Sequence, residues 1–112
     1  MSQALAKRLD NIVDQGGIRA REVAELLNTT PETVSRWRAG KVDPHSERLK
    51  SLLTLEWLVS ELATFYEPES ARLWLYSPHK LLRGETPAQR IRAGRIDDVL
   101  AIIAQLEDGS VS

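Results

Sequence analysis

Arg36, Arg38 and Lys41 stand close together with no acid between them, and Thr30, Thr33 and Ser35 fall among or just before them. Cations interleaved with short hydroxyls suit nucleic acid. Guanidinium groups pair with phosphates or guanine edges, and hydroxyls reach base edges when a helix docks closely. Other chemistry is thinly supplied. The two histidines, His45 and His79, each neighbour a proline, and there is no cysteine. Ser77 near His79 suggests a nucleophile, but no orienting acid or oxyanion donor accompanies the pair, so an enzyme is not expected. Two histidines without a cysteine argue against a metal site, and disulfides are excluded.

The elements that must present the cationic residues are legible. Arg21–Lys41 reads as helix, tight turn, helix. Thr30 is placed to cap the second helix, Pro31 suits its first position, where an N–H has no partner, and Gly40 suits its end. Val34 and Trp37, three apart, share the inward face. Glu32, Thr33, Ser35, Arg36 and Arg38 then lie on the other faces, and Ala24 is small where two helices must touch. This is the spacing of a helix-turn-helix, whose second helix enters the DNA major groove. A plain helical hairpin is the bland alternative. Asn28 occupies the turn position that such motifs most often give to glycine, and asparagine tolerates the left-handed conformation required there.

The 112 residues make one domain or two very small ones. Helix formers dominate, no run alternates as a strand would, and a 42% apolar content is ordinary for a globular chain. No apolar stretch approaches the ~18 residues of a membrane span. The amphipathic start MSQALAKRLDNIVDQ is not a secretory signal. A cytoplasmic location with no membrane contact is the expectation. Net charge is −1, with +1 over residues 1–48 and −2 over 49–112. That is weak for a lone DNA-binding subunit, since phosphate contacts supply most affinity, so a homodimer is expected.

Leu5, Leu9, Ile12 and Val13 mark a first helix ending at Gly16-Gly17, which precedes no phosphate-binding fingerprint. A second helix is expected over Ile18–Leu27, the third from Thr30, and a module boundary after His45. A long helix over about Ser46–Phe65 follows. Its Leu52, Leu55, Val59 and Leu62 recur at helical spacing, and Leu53, Trp57, Leu58 and Phe65 fill other faces. So apolar a helix must be buried on several sides, which predicts a self-association surface at Leu52, Leu55, Val59 and Leu62, the alternative being that the chain's own remaining helices cover it all. Glu67-Pro68-Glu69 reads as a break, Ser70 as a new start, and Ser77-Pro78 as a stop. Thr86-Pro87 opens another helix closed at Gly94, and a last one runs over about Ile96–Leu106. Between His79 and Arg95, five basic residues (Lys80, Arg83, Arg90, Arg92, Arg95) face Glu85 alone. That patch is a solvated face, a phosphate-contacting surface, or a surface toward an acidic partner.

Trp74, Ser77-Pro78, Leu82, Gly84, Thr86-Pro87 and Gly94, before an apolar closing helix, resemble the toxin-binding domain of the MbcA/ParS/Xre family of antitoxins. A preceding helix-turn-helix is that family's layout, and His79 stands where the family has asparagine. The resemblance implies an all-α fold, with a DNA-binding module over 1–45 and a dimerisation and toxin-binding domain over 46–112. It implies a cognate toxin of RES fold that consumes NAD, an antitoxin that is not an enzyme and needs no cofactor, and repression of the shared promoter by the hetero-oligomer on operator DNA. The implied toxin-facing residues are Trp74, Ser77, Pro78, His79, Lys80, Arg83, Gly84, Glu107, Asp108 and Val111, with the C-terminal end near the NAD pocket. The carboxylates there suit a pocket built for phosphates, the alternative being an ordinary solvated terminus. The rival expectation is a stand-alone repressor with a small-molecule pocket within residues 49–112.

Overall fold

The computed structural model describes residues 2–108, which form helices and turns with no strand among them. The helices are α1 (Ser2–Gly16), α2 (Ala20–Leu26), α3 (Pro31–Arg38), α4 (Ser46–Phe65), α5 (Pro68–Leu75), α6 (Pro87–Arg92) and α7 (Ile96–Glu107). A 3-10 turn over Lys80–Leu82 lies between α5 and α6. None of the described helices is long and apolar enough to cross a membrane.

Local chemistry explains three of the helix starts. Thr30 Oγ1 accepts from the Thr33 amide at 3.1 Å and starts α3. Thr86 and Gln89 exchange side-chain and backbone hydrogen bonds at 3.0 and 2.8 Å and start α6. Each such pair satisfies amides that have no partner within the helix. Pro68 behaves in the same way as Pro31 and Pro87. It opens α5 from the first position, two residues before the expected start at Ser70, because a proline that ends one helix is equally fit to begin the next.

α1 and α4 are the central pair. Leu9 and Ile12 of α1 and Leu52, Leu55, Leu58, Val59 and Leu62 of α4 belong to one apolar cluster. Gly16 permits the close approach: a Cβ there would meet Val59 Cγ1 at 3.1 Å. α3 packs on α1, α5 packs on both central helices, and α6 packs on α2, α5 and α7. The same cluster takes Val23, Val34 and Trp37 from the first half and Leu75, Ile91 and Ile103 from the second. The boundary expected after His45 therefore falls in a turn, while the helices on its two sides share a core.

The self-association surface expected at Leu52, Leu55, Val59 and Leu62 is corrected by this packing. All four are fully buried within the chain, as is Leu58, so none is available to a second copy. α1, α5 and α7 supply the cover that the apolar count demanded. What α4 leaves at the surface is Leu49, Leu53 and Trp57, spaced four apart on one stripe, and Phe65 near its end.

Polar contacts add to the shared core in joining the two halves. Arg72 of α5 donates to both Glu22 oxygens of α2, at 2.6 and 2.8 Å. Glu22 also accepts the Arg19 amide at 2.8 Å, and the Arg72 guanidinium lies 5.0 Å from the centre of the Tyr76 ring. The paired guanidinium holds the Glu22 carboxyl down at about 2, below the usual 4.5, with the Arg19 amide assisting. Burial pushes the Tyr76 phenol up to about 12. Beside this contact, Gly17 turns with φ +62°, and a Cβ there would overlap the Pro68 carbonyl oxygen and lie 2.8 Å from its carbon. Only glycine fits that approach.

Candidate functional site

The helix-turn-helix is present as the spacing predicts, with Val34 and Trp37 buried beneath α3. The outer face carries Glu32 and Arg36, one turn apart, both exposed, flanked by Ser35 and the part-buried Thr33. Thr30 is occupied as the cap, and its hydroxyl lies 2.9 Å from that of Thr33. One cation differs from expectation. Arg38 is not free of acids: its Nη2 lies 2.5 Å from Asp10 Oδ1 of α1. Arg36 and Lys41 form no ion pair among the described residues and are exposed, so Arg36 is the principal uncommitted cation on the helix.

Asn28 has φ +57°, the left-handed conformation that the turn needs. Its side chain explains why glycine is not used. Asn28 Nδ2 donates to the carbonyl of Arg92 at 2.8 Å, at the C-terminal end of α6, while Arg48 of α4 donates to the Asn28 carbonyl at 2.7 Å. The turn that opens α3 is thereby tied to both α4 and α6, over a separation of 64 residues in the second case.

The second candidate site surrounds the 3-10 turn. His79 donates its amide to the Glu85 carbonyl at 2.9 Å, and its own carbonyl accepts from Leu82 and Gly84 at 2.9 and 3.0 Å. Its Nδ1 accepts from the Leu81 amide at 3.4 Å. Arg83 and Gly84, at φ +58° and +86°, turn the chain back. Beneath this closed loop Arg90 donates to the Leu82 carbonyl at 3.0 Å, pairs with Glu85, and reaches Asp98 at 2.5 Å. The loop thus has a rigid base and an exposed rim.

The end of α5 and the start of the loop bring Trp74, Ser77, Pro78 and His79 together, while Leu81 and Arg83 line a separate hollow. Trp74 is part-buried and meets the His79 ring edge-on at 5.8 Å. Ser77 donates to the Leu73 carbonyl at 2.5 Å, which spends its hydroxyl on ending α5. Trp74, Ser77, Pro78 and His79 line an open hollow with Tyr66, Ser70 and Leu73. Leu73 is 69% exposed and Leu81 54%, the two most exposed large apolar side chains described. Sequence reasoning missed both. A signal was available for Leu73: Ala71 and Leu75, four apart, share one helical face, and Leu73, two residues from each, falls on the opposite one. Lys80 and Arg83 stand exposed beside Leu81. Glu107 lies apart, at the end of α7, where a hydrogen bond with Glu61 of α4 holds its carboxyl above the usual carboxylate range. Asp108 is exposed next to it, and Val111 lies outside the described residues.

Exposed apolar side chains at the end of α5 and on the loop after it, with a capped helix-turn-helix on the same small core, invite comparison with known proteins. Residues 62–109 match the model of the Xre/MbcA/ParS antitoxin C-terminal toxin-binding domain, and residues 9–55 match a helix-turn-helix model. The mycobacterial cidal antitoxin MbcA of Mycobacterium tuberculosis is 30% identical over 105 residues, covering 94% of this chain and 93% of the relative. The chain belongs to the Xre/MbcA/ParS antitoxin family. A probable mycobacterial cidal antitoxin of the same organism is 29% identical over 94 residues, covering 84% and 80%. The fold agrees. A chain in the crystal structure of the M. tuberculosis MbcT–MbcA toxin–antitoxin complex superposes with a TM-score of 0.80 at 30% identity, covering 96% of this chain and 97% of that one.

Membership in the antitoxin family and the all-helical architecture match what the sequence implied. The toxin-binding model begins at residue 62 and the helix-turn-helix model ends at residue 55, so both matches run into α4. That agrees with α4 serving both halves. Every residue of the apolar rim falls inside the toxin-binding match.

Proposed function

We propose that this chain neutralises a cognate toxin by docking the rim around Leu73, Trp74, Pro78 and Leu81 onto it, and that α3 reads operator DNA. The observation that carries this reading is the exposure of Leu73 at the end of α5, beside Trp74 and Pro78, and of Leu81 on the closed loop that follows, all within the family's toxin-binding domain. Exposed apolar side chains mark an interaction surface, tryptophan is enriched among the residues that dominate binding, and a rigid loop loses little entropy on docking. The relative found in complex with MbcT supports a toxin as the occupant.

The finer reading follows the family resemblance. The toxin has a RES fold and consumes NAD, the antitoxin occludes its NAD site, no cofactor or catalytic group is contributed by this chain, and the hetero-oligomer represses the shared promoter in the cytoplasm. Glu107, Asp108 and the segment after them enter the NAD pocket, placing carboxylates where phosphates bind. Self-association uses the stripe Leu49, Leu53 and Trp57, and it doubles a DNA-binding charge that is small in one subunit.

The test is co-expression with the adjacent reading frame. Leu73→Asp is expected to abolish co-purification of the toxin and release its NAD consumption while the melting temperature stays unchanged. Arg36→Ala is expected to weaken promoter binding by roughly 1–3 kcal/mol. A Leu73→Asp protein that still forms the complex at wild-type affinity removes the rim from the interface.

A further inference from the structure

The basic run between residues 79 and 95 does not act as one patch. Arg90 is spent beneath the loop on Glu85 and Asp98, and Arg95 pairs with Asp98 at 3.1 Å. Lys80 and Arg83 belong to the apolar rim. Arg92 is different. It is exposed, forms no ion pair with a described residue, and lies at the opposite end of α6, against the helix-turn-helix.

We propose that Arg92 is a DNA-contacting residue contributed by the C-terminal half, binding a backbone phosphate beside the bases read by α3. This rests on the DNA-reading role of α3. The N-terminal end of a recognition helix is the part that approaches the bases. Asn28 lies in the turn just before that end, and its side chain is hydrogen-bonded to the Arg92 carbonyl. Gly94 and Ile96 line a small crevice together with Leu26, Leu27, Asn28 and Arg48, so the whole α6–α7 turn sits against the DNA-reading turn. An extended arginine spans about two residues of chain, enough to reach a phosphate next to a docked helix. The charge balance favours DNA as the occupant. The first 48 residues supply only +1, Arg38 is paired with Asp10, and phosphate binding needs cations from elsewhere.

Binding of wild type, Arg92→Ala, Arg92→Lys and Arg36→Ala is measured by fluorescence anisotropy over a salt series. The duplexes are the chain's own upstream region and a scrambled version of it. Arg92→Ala is expected to weaken both duplexes equally, by roughly threefold, and to lower the slope of log affinity against log salt by about one. Arg92→Lys restores the slope. Arg36→Ala weakens the upstream duplex more than the scrambled one. Asn28 bonds to the Arg92 carbonyl rather than its side chain, so the melting temperature of Arg92→Ala stays at the wild-type value. An unchanged slope in Arg92→Ala, with Arg36→Ala impaired, overturns the proposal and leaves the role of α3 standing. Weakened toxin co-purification with intact DNA binding assigns Arg92 to a protein interface and overturns it as well. If wild type binds neither duplex, the DNA-reading role itself fails.

Discussion

The Glu22–Arg72 pair offers the most direct test of how the two halves hold together. Replacing Glu22 with Gln keeps its shape and removes its charge. The carboxyl sits at about 2 in the folded chain against 4.5 unfolded, and each tenfold difference in proton affinity is worth about 1.4 kcal/mol. The full difference would be about 3 kcal/mol. Arg72 is 36% exposed, so water screens the pair, and about 1–2 kcal/mol is the expected loss at neutral pH. The sign follows from a depressed carboxylate. Its stabilisation is fully present above 4.5 and disappears as pH falls from 4.5 toward 2. Urea unfolding at about pH 7 should show wild type more stable than Glu22→Gln by that amount, and the gap should shrink by more than half at about pH 3. A double-mutant cycle with Arg72→Met isolates the pair. A stability gap that stays constant across that range, or a coupling energy near zero, would refute the argument that this ion pair fastens α5 to α2.

Four further outcomes follow from the packing. Gly17→Ala is expected to cost more than ~3 kcal/mol in thermal unfolding, because a positive φ and the Pro68 carbonyl both oppose a Cβ, whereas Gly94→Ala meets only the φ penalty of about 1–2 kcal/mol. Asn28→Ala should lower the melting temperature more than Asn28→Gly, since alanine loses both the hydrogen bond to Arg92 and the left-handed tolerance, and glycine loses only the bond. Val59→Lys should unfold the chain by burying an unpaired charge, while Trp57→Lys should leave circular dichroism unchanged and reduce self-association in light scattering. Glu107→Gln should raise the melting temperature slightly above the pH where Glu107 ionises and leave it unchanged below, because removing that charge ends its repulsion with Glu61.

What the sequence by itself determined is the part governed by near neighbours. Thr30-Pro31 and Thr86-Pro87 start helices because a cap and a fixed φ act within three residues, and Asn28 marks its turn for the same reason. The inward face of α3 and the all-helical class follow from period alone, and the motif string around Trp74–Gly94 carried the family. The tertiary structure decided what depends on packing between distant segments. It covers Leu52, Leu55, Val59 and Leu62 with the chain's own helices, so apolar content on α4 did not measure what it leaves for a partner. It sorts the basic residues, committing Arg38 to Asp10 and Arg90 to Glu85 and Asp98, and leaving Arg36 and Arg92 exposed and without an ion pair among the described residues. It joins Glu22 to Arg72 across 50 residues and Asn28 to Arg92 across 64. Periodicity tells which side of a helix is buried. Which charge meets which, and which leucine is left in water, is settled only when the helices take their positions against one another.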